Sequence, residues 1–227
     1  MSTAEHAEPL DVPGIDVEHL ARRLIAAITH SATPGPAAAV GWLWPILLRR
    51  LAHARPVTIT DLAHDSGHSR AQVRSALAEL SDTEFDEQGS VIGHGITLRP
   101  TPHEFTVDGH RLYTWCALDT LIFPAVLDRR AYVVSPAPGS GQPVRLSVDP
   151  IAGVTAAAPA TAVVTVLLPE QGRGVRATFC NHVHFYPDPA AAQGWLSEHP
   201  SGAVLTITQA ADLGRRLARH LLAKPRG

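Results

Sequence analysis

Two cysteines and one aspartate are the residues of this chain best suited to chemistry. Cys116 and Asp119 stand three residues apart in the apolar run LYTWCALDTLIFPAVL, Leu112–Leu127, and the second cysteine, Cys180, stands in ATFCNHVHFY among aromatic residues. If the run from Cys116 is helical, the i, i+3 spacing puts thiol and carboxyl on one face. A cysteine early in a helix also feels the positive end of the helix dipole, which favours the thiolate. Two sulfurs and an acid in apolar surroundings describe a soft-metal pocket with one proton donor. Trp115, Leu118, Phe179 and Phe185 would keep that acid protonated and accommodate an apolar group. The alternatives for the cysteines are two buried structural thiols or a redox pair. His182 and His184 alternate with Cys180 and, on a strand, share its face, so Cys-x-His-x-His also offers nitrogen ligands for zinc or copper. We read these histidines as structural or supporting groups.

The rest of the chain must bring these groups together. Its 227 residues are 45% hydrophobic, enough for a sizeable core. The net charge of −2 argues against a dedicated nucleic-acid binder. No stretch reads as a secretory signal or reaches the length of a membrane span, so the sequence predicts a cytoplasmic chain with reduced thiols.

The pattern of elements predicts an α+β fold: an N-terminal helical, winged-helix-like part followed by an antiparallel β-sheet core with flanking helices. Three segments are expected, an extension over 1–35 with one helix, a winged-helix-like domain over 36–100, and a catalytic α+β domain over 101–227. Residues 1–14 are small, acidic and punctuated by Pro and Gly, and helical spacing follows over Asp16–His30. Ser31–Pro36 breaks that helix, and a second runs over Ala37–Ala54 with a kink or restart near Trp44 because of Pro45. Thr60 or Asp61 caps a short helix ending at Ser66-Gly67, and Ser69 caps another over Arg70–Leu80, a helix-turn-helix pattern. Glu84–Asp86 and Val91–Leu98 read as the two strands of a wing. Few basic residues face a groove from the second helix, and Glu79, Asp82, Glu84 and Asp86 follow it closely, which argues against DNA reading. Strands are expected at His103–Val107, Ala131–Ser135, Val144–Val148, Ala162–Leu168, Ala177–Tyr186 and Ala203–Thr208, with a turn at Glu170–Gly174. Helices are expected at Ala190–His199 and Ala210–Ala223, and Pro124 should end or kink the helix after Cys116.

RLYTWCALDTLIFP around Cys116 and FCNHVHFY around Cys180 resemble the two signature segments of the organomercurial, or alkylmercury, lyases. The likeness continues upstream through Thr83-Glu84-Phe85-Asp86 and Val91–Arg99 and covers roughly Pro36 to the C-terminus. The resemblance implies protonolysis of a carbon–mercury bond to a hydrocarbon and Hg(II). Cys116 and Cys180 match the family's catalytic cysteines and Asp119 its acid, and the same three would hold the Hg(II) product. Tyr113, Trp115 and Phe179 are the candidate substrate-binding residues. The resemblance also implies no resident cofactor, a need for exogenous low-molecular-weight thiols, transfer of Hg(II) to thiols or a mercuric reductase, and a winged helix that does not bind DNA. Further cysteines found in some members are replaced here by Asn181 and the Pro136–Gly141 loop. The competing reading is a winged-helix transcriptional regulator that senses a soft metal without catalysis.

Overall fold

The structure, a computed structural model, describes residues 16–31, 41–80, 82–168 and 174–222. Expectations for residues 1–14, the Ser31–Pro36 break and most of the Glu170–Gly174 turn lie outside these. The fold is α+β. Among the described residues four helices come first: α1 (Val17–Ser31), α2 (Leu43–Leu51), α3 (Ile59–Ser66) and α4 (Arg70–Glu79). An antiparallel sheet of eight strands follows, made of β1 (Glu84–Phe85), β2 (Val91–His94), β3 (Ile96–Thr97), β4 (His103–Val107), β5 (His110–Thr114), β6 (Ala131–Pro136), β7 (Pro143–Asp149) and β8 (Gly153–Ala158). Their spatial order is β1-β2-β3-β5-β4-β6-β7-β8. Helix α5 (Asp119–Leu127) interrupts the series between β5 and β6. A second antiparallel sheet, in the order β10-β9-β11, is built from β9 (Val163–Val166), β10 (Phe185–Tyr186) and β11 (Ala203–Thr206). Short helices α6 (Val175–Thr178) and α7 (Gln193–Glu198) and the long α8 (Ile207–Leu222) complete the chain.

The helix-turn-helix forms because both its helices carry reciprocal caps. Thr58, rather than Thr60 or Asp61, caps α3. Its hydroxyl accepts the Asp61 N–H at 3.1 Å, and the Asp61 carboxylate accepts the Thr58 N–H at 3.1 Å. Gly67, at φ 71, closes α3 in the left-handed conformation. Ser69 and Gln72 repeat the box on α4. Pro45 sits in the first turn of α2, where its missing N–H has no intrahelical partner to lose, and α2 begins after Trp42; the expected start at Ala37 lies outside the described residues.

Four expectations are corrected. Val91–Leu98 is not one strand, because Gly95 turns it back and Gly93 pairs with Thr97 as β2 and β3. Pro124 does not end its helix. α5 runs to Leu127 and stops at Asp128, φ 55, because its residues are buried on nearly every side and packing outweighs the one lost bond. The chain from Cys116 is not helical at once. β5 extends to Thr114, paired with both β3 and β4, and α5 begins only at Asp119. Ala177–Tyr186 is not a strand carrying Cys180. It is α6, a 3-10 turn over Cys180–His182, and only then β10, which pairs with β9 at Phe185 and Tyr186.

One hydrophobic core runs from Leu24 and Leu43 through Phe105 and Leu118 to Leu213, and both cysteines belong to it. α8 packs across α5 and α1. Gly214 permits the α5 crossing, since a Cβ there would lie 2.8 Å from the Leu121 carbonyl oxygen. That contact pins α5, and with it Asp119, to the C-terminal helix.

Candidate active site

The two cysteine segments are held together by backbone. Cys116 lies in the turn between β5 and α5. On one side of it the Trp115 N–H donates to the Gly95 carbonyl at 3.0 Å, and on the other the Ala117 N–H donates to the Val183 carbonyl at 3.1 Å. Val183 follows the turn that carries Cys180, whose geometry is fixed by bonds from the His182 N–H to the Phe179 carbonyl and from the Val183 N–H to the Cys180 carbonyl. A chain wound into that turn does not continue as a strand, so the alternation that suggested one for Ala177–Tyr186 is overridden.

Asp119 is the first residue of α5 and folds back on the turn, where its Oδ2 accepts the Cys116 N–H at 3.2 Å. Among the described residues, ligating atoms of Cys116, Asp119 and Cys180 lie within 4.8 Å of one another and are buried. Both cysteines are free thiols. Asp119 as a whole residue keeps partial surface exposure.

Burial governs the proton affinities here. The Cys116 thiol is pushed well above its ordinary range, first by loss of water and then by its neighbours Cys180 and Asp119. The helix-dipole preference for a thiolate is therefore overturned, since desolvation in the core outweighs it. For Cys180 the hydrogen bond with Cys116 pulls downward, but burial and the charges of Asp119 and Asp82 leave the net shift upward. Burial raises Asp119 to about 7, against the lowering effect of its hydrogen bonds with Cys116. Near neutral pH the resting site thus holds two thiols and a carboxyl poised between acid and base. A soft metal changes this balance, because coordination deprotonates a thiol outright.

Trp115 and Phe179 flank the cysteines. The Trp115 indole lies 5.3 Å from the His94 ring and donates from Nε1 to Glu84 Oε1 at 2.9 Å, while Phe179 is buried in the core immediately before Cys180. Tyr113 is half-buried on β5, on the face opposite Leu112 and Thr114, and no hydrogen bond or ring contact joins it to the three groups. The histidines do not share a face with Cys180. His182 Nδ1 meets His199 Nε2 at 3.3 Å, and the His184 ring lies 6.0 Å from that of His103. Sequence reasoning missed Glu84, Asp82 and Arg176. They were visible only as charges near the wing and before Cys180, and nothing in their spacing ties them to either cysteine.

Comparison with known proteins identifies the family. The family model for alkylmercury lyase matches residues 96–219, and the model for the helix-turn-helix domain of alkylmercury lyase matches 19–95. A Streptomyces lividans protein named alkylmercury lyase is 50% identical over 205 residues, 90% of this chain and 94% of that protein. A Staphylococcus epidermidis protein of the same name is 45% identical over 192 residues, 85% and 88% of the two chains. The crystal structure of the mercury-bound form of MerB2 superposes with a TM-score of 0.72 over 90% of this chain and 99% of that one, at 22% identity, a likeness of fold alone. With two family models spanning the helices and the sheet, and relatives at this identity along most of its length, the chain belongs to the alkylmercury lyase family.

Proposed function

We infer that this chain cleaves the carbon–mercury bond of alkyl- and arylmercury compounds by protonolysis, with Cys116 and Cys180 as mercury ligands and Asp119 as the proton carrier. The observation that supports this reading is the convergence of two thiols and one carboxyl within 4.8 Å in a buried setting. Mercury is soft, and sulfur is its preferred ligand. One thiol replaces the leaving ligand of the organomercurial and its proton departs with that ligand. The second thiol adds its sulfur to mercury and passes its proton to the Asp119 carboxylate. Sulfur donation makes the bound carbon basic, and Asp119 delivers the proton to it. The carbon–mercury bond breaks as a carbon–hydrogen bond forms, the hydrocarbon leaves, and Hg(II) stays on two thiolates with Asp119 alongside.

Two buried thiolates hold Hg(II) tightly, so turnover requires exogenous low-molecular-weight thiols as acceptors, with a mercuric reductase as a further acceptor. No resident cofactor enters this scheme, and no nucleic acid. No described helix is long and apolar enough to cross a membrane. Trp115 and Phe179 bound the space for the organic group, and Tyr113 is a more distant candidate for the same role.

Asp119→Asn separates binding from chemistry. The amide cannot carry the proton, so the variant should bind phenylmercury with near-normal affinity and release benzene about 10²–10⁴-fold more slowly, the usual contribution of a positioned acid. Lost binding with an unchanged rate for the bound fraction would make Asp119 a ligand and nothing more.

A further inference from the structure

One acid of the wing turns inward. Glu84, on β1, is 7% exposed, and its carboxylate accepts three side-chain hydrogen bonds. Thr97 Oγ1 on β3 donates at 2.7 Å to Oε2, while Trp115 Nε1, at 2.9 Å, and an Arg176 guanidinium N–H converge on Oε1. Trp115 directly precedes Cys116, and Arg176 lies on α6 four residues before Cys180. The guanidinium also stands 5.0 Å from the centre of the Trp115 ring. Asp82 reinforces the contact, accepting the Arg176 N–H at 3.4 Å. It approaches Gly174 so closely that a Cβ there would lie 2.9 Å from its Oδ1.

The cysteine segments are therefore joined at two points. After the cysteines, the Ala117 N–H reaches the Val183 carbonyl. Before them, one carboxylate oxygen binds Trp115, next to Cys116, and Arg176, one helical turn before Cys180. Two chain segments joined at a single point can hinge about it, and joined at two they cannot. We propose that Glu84 is a positioning residue for the lyase reaction, its carboxylate fixing the span between the Cys116 and Cys180 sulfurs. Charge-assisted bonds in a buried site are strong and directional enough for this task. The inference rests on the two-thiol reading above.

Phenylarsine oxide measures the span, because tight capture requires two sulfurs on one arsenic. The probe is titrated calorimetrically into the reduced full-length protein, its Glu84→Gln and Thr97→Val variants, and Cys180→Ser, which sets the one-thiol baseline. Thr97→Val removes a hydrogen-bond donor to Glu84 that adjoins neither cysteine, and so reports the purely structural cost. The expected result is that Glu84→Gln binds the arsenical at least tenfold more weakly than the native protein. Its kcat for benzene release from phenylmercury should fall by a similar factor, while its Tm drops no further than that of Thr97→Val. Native arsenical affinity in Glu84→Gln would overturn the proposal, as would a loss no larger than that in Thr97→Val. If Glu84→Gln does not fold, Arg176→Gln, which leaves Glu84 bonded to Thr97 and Trp115, should show the same selective loss, and native affinity there is equally fatal. Cys180→Ser binding the arsenical as tightly as the native protein would instead refute the two-thiol reading itself.

Discussion

Asp119 and the two thiols show how one environment serves two purposes. Burial raises all three proton affinities, and mercury then lowers most those of the sulfurs it binds. Protons are thereby driven from sulfur toward the one group beside them that titrates near neutrality. The sign of the pH dependence follows. Once both sulfurs hold the mercury, the transferred proton rests on Asp119, and with an affinity raised to about 7 that proton is kept below this pH and lost to solvent above it. Single-turnover benzene release from pre-bound phenylmercury should therefore fall about tenfold per pH unit well above 7, as one required proton is lost. A rate that stays flat to about pH 9 would contradict Asp119 as the donor. The site's residue types and the i, i+3 spacing were legible in the sequence, because they are local. The environment was not: a cysteine expected to be a thiolate at a helix start sits instead in a turn, inside the core, as a thiol.

Among the elements, the tight β2–β3 turn does the most to join the wing to the site. Gly95 adopts φ 79, its carbonyl receives the Trp115 N–H, and a Cβ added there would lie 2.6 Å from Phe123 Cζ on α5. Gly95→Ala should therefore cost about 2–4 kcal/mol, combining a left-handed alanine with an overpacked core. Gly89→Ala, at φ 78 with nothing within 4 Å of its Cβ, should cost only about 1 kcal/mol. Urea unfolding of both variants checks the contrast, and equal losses would mean that the Phe123 contact contributes nothing. α3 and α4 were readable as helices from sequence because their caps act within one turn, Ser69 being the expected cap of α4 and Thr58 lying two residues before the first expected cap of α3. The segment around Cys180 was not, because its apolar alternation resembles a strand while its hydrogen bonds go to Ala117 and Thr165, far away in the chain. β8, with its run of small residues, offered no alternation to read at all.

Across the molecule, helix-turn-helix, wing and sheet share one core, and Glu84 of the wing bonds Trp115 and Arg176, one from each cysteine segment. Three arginines of this N-terminal part are also engaged. Arg50 bonds Asp65, Arg70 bonds Thr60, and Arg99 bonds the Phe85 carbonyl. A fold pattern usually associated with reading DNA here frames a reaction site, and it takes the whole chain from β1 to β10 to bring two cysteines 64 residues apart into contact. The claim that this assembly breaks carbon–mercury bonds is tested most directly by headspace gas chromatography of the reduced protein incubated with methylmercury or phenylmercury and excess thiol. Methane or benzene should accumulate over many turnovers, and Cys116→Ser and Cys180→Ser should each release none above the uncatalysed background. Folded, reduced protein that binds the organomercurial but yields no hydrocarbon, or near-native release from either serine variant, would contradict the two-thiol lyase mechanism.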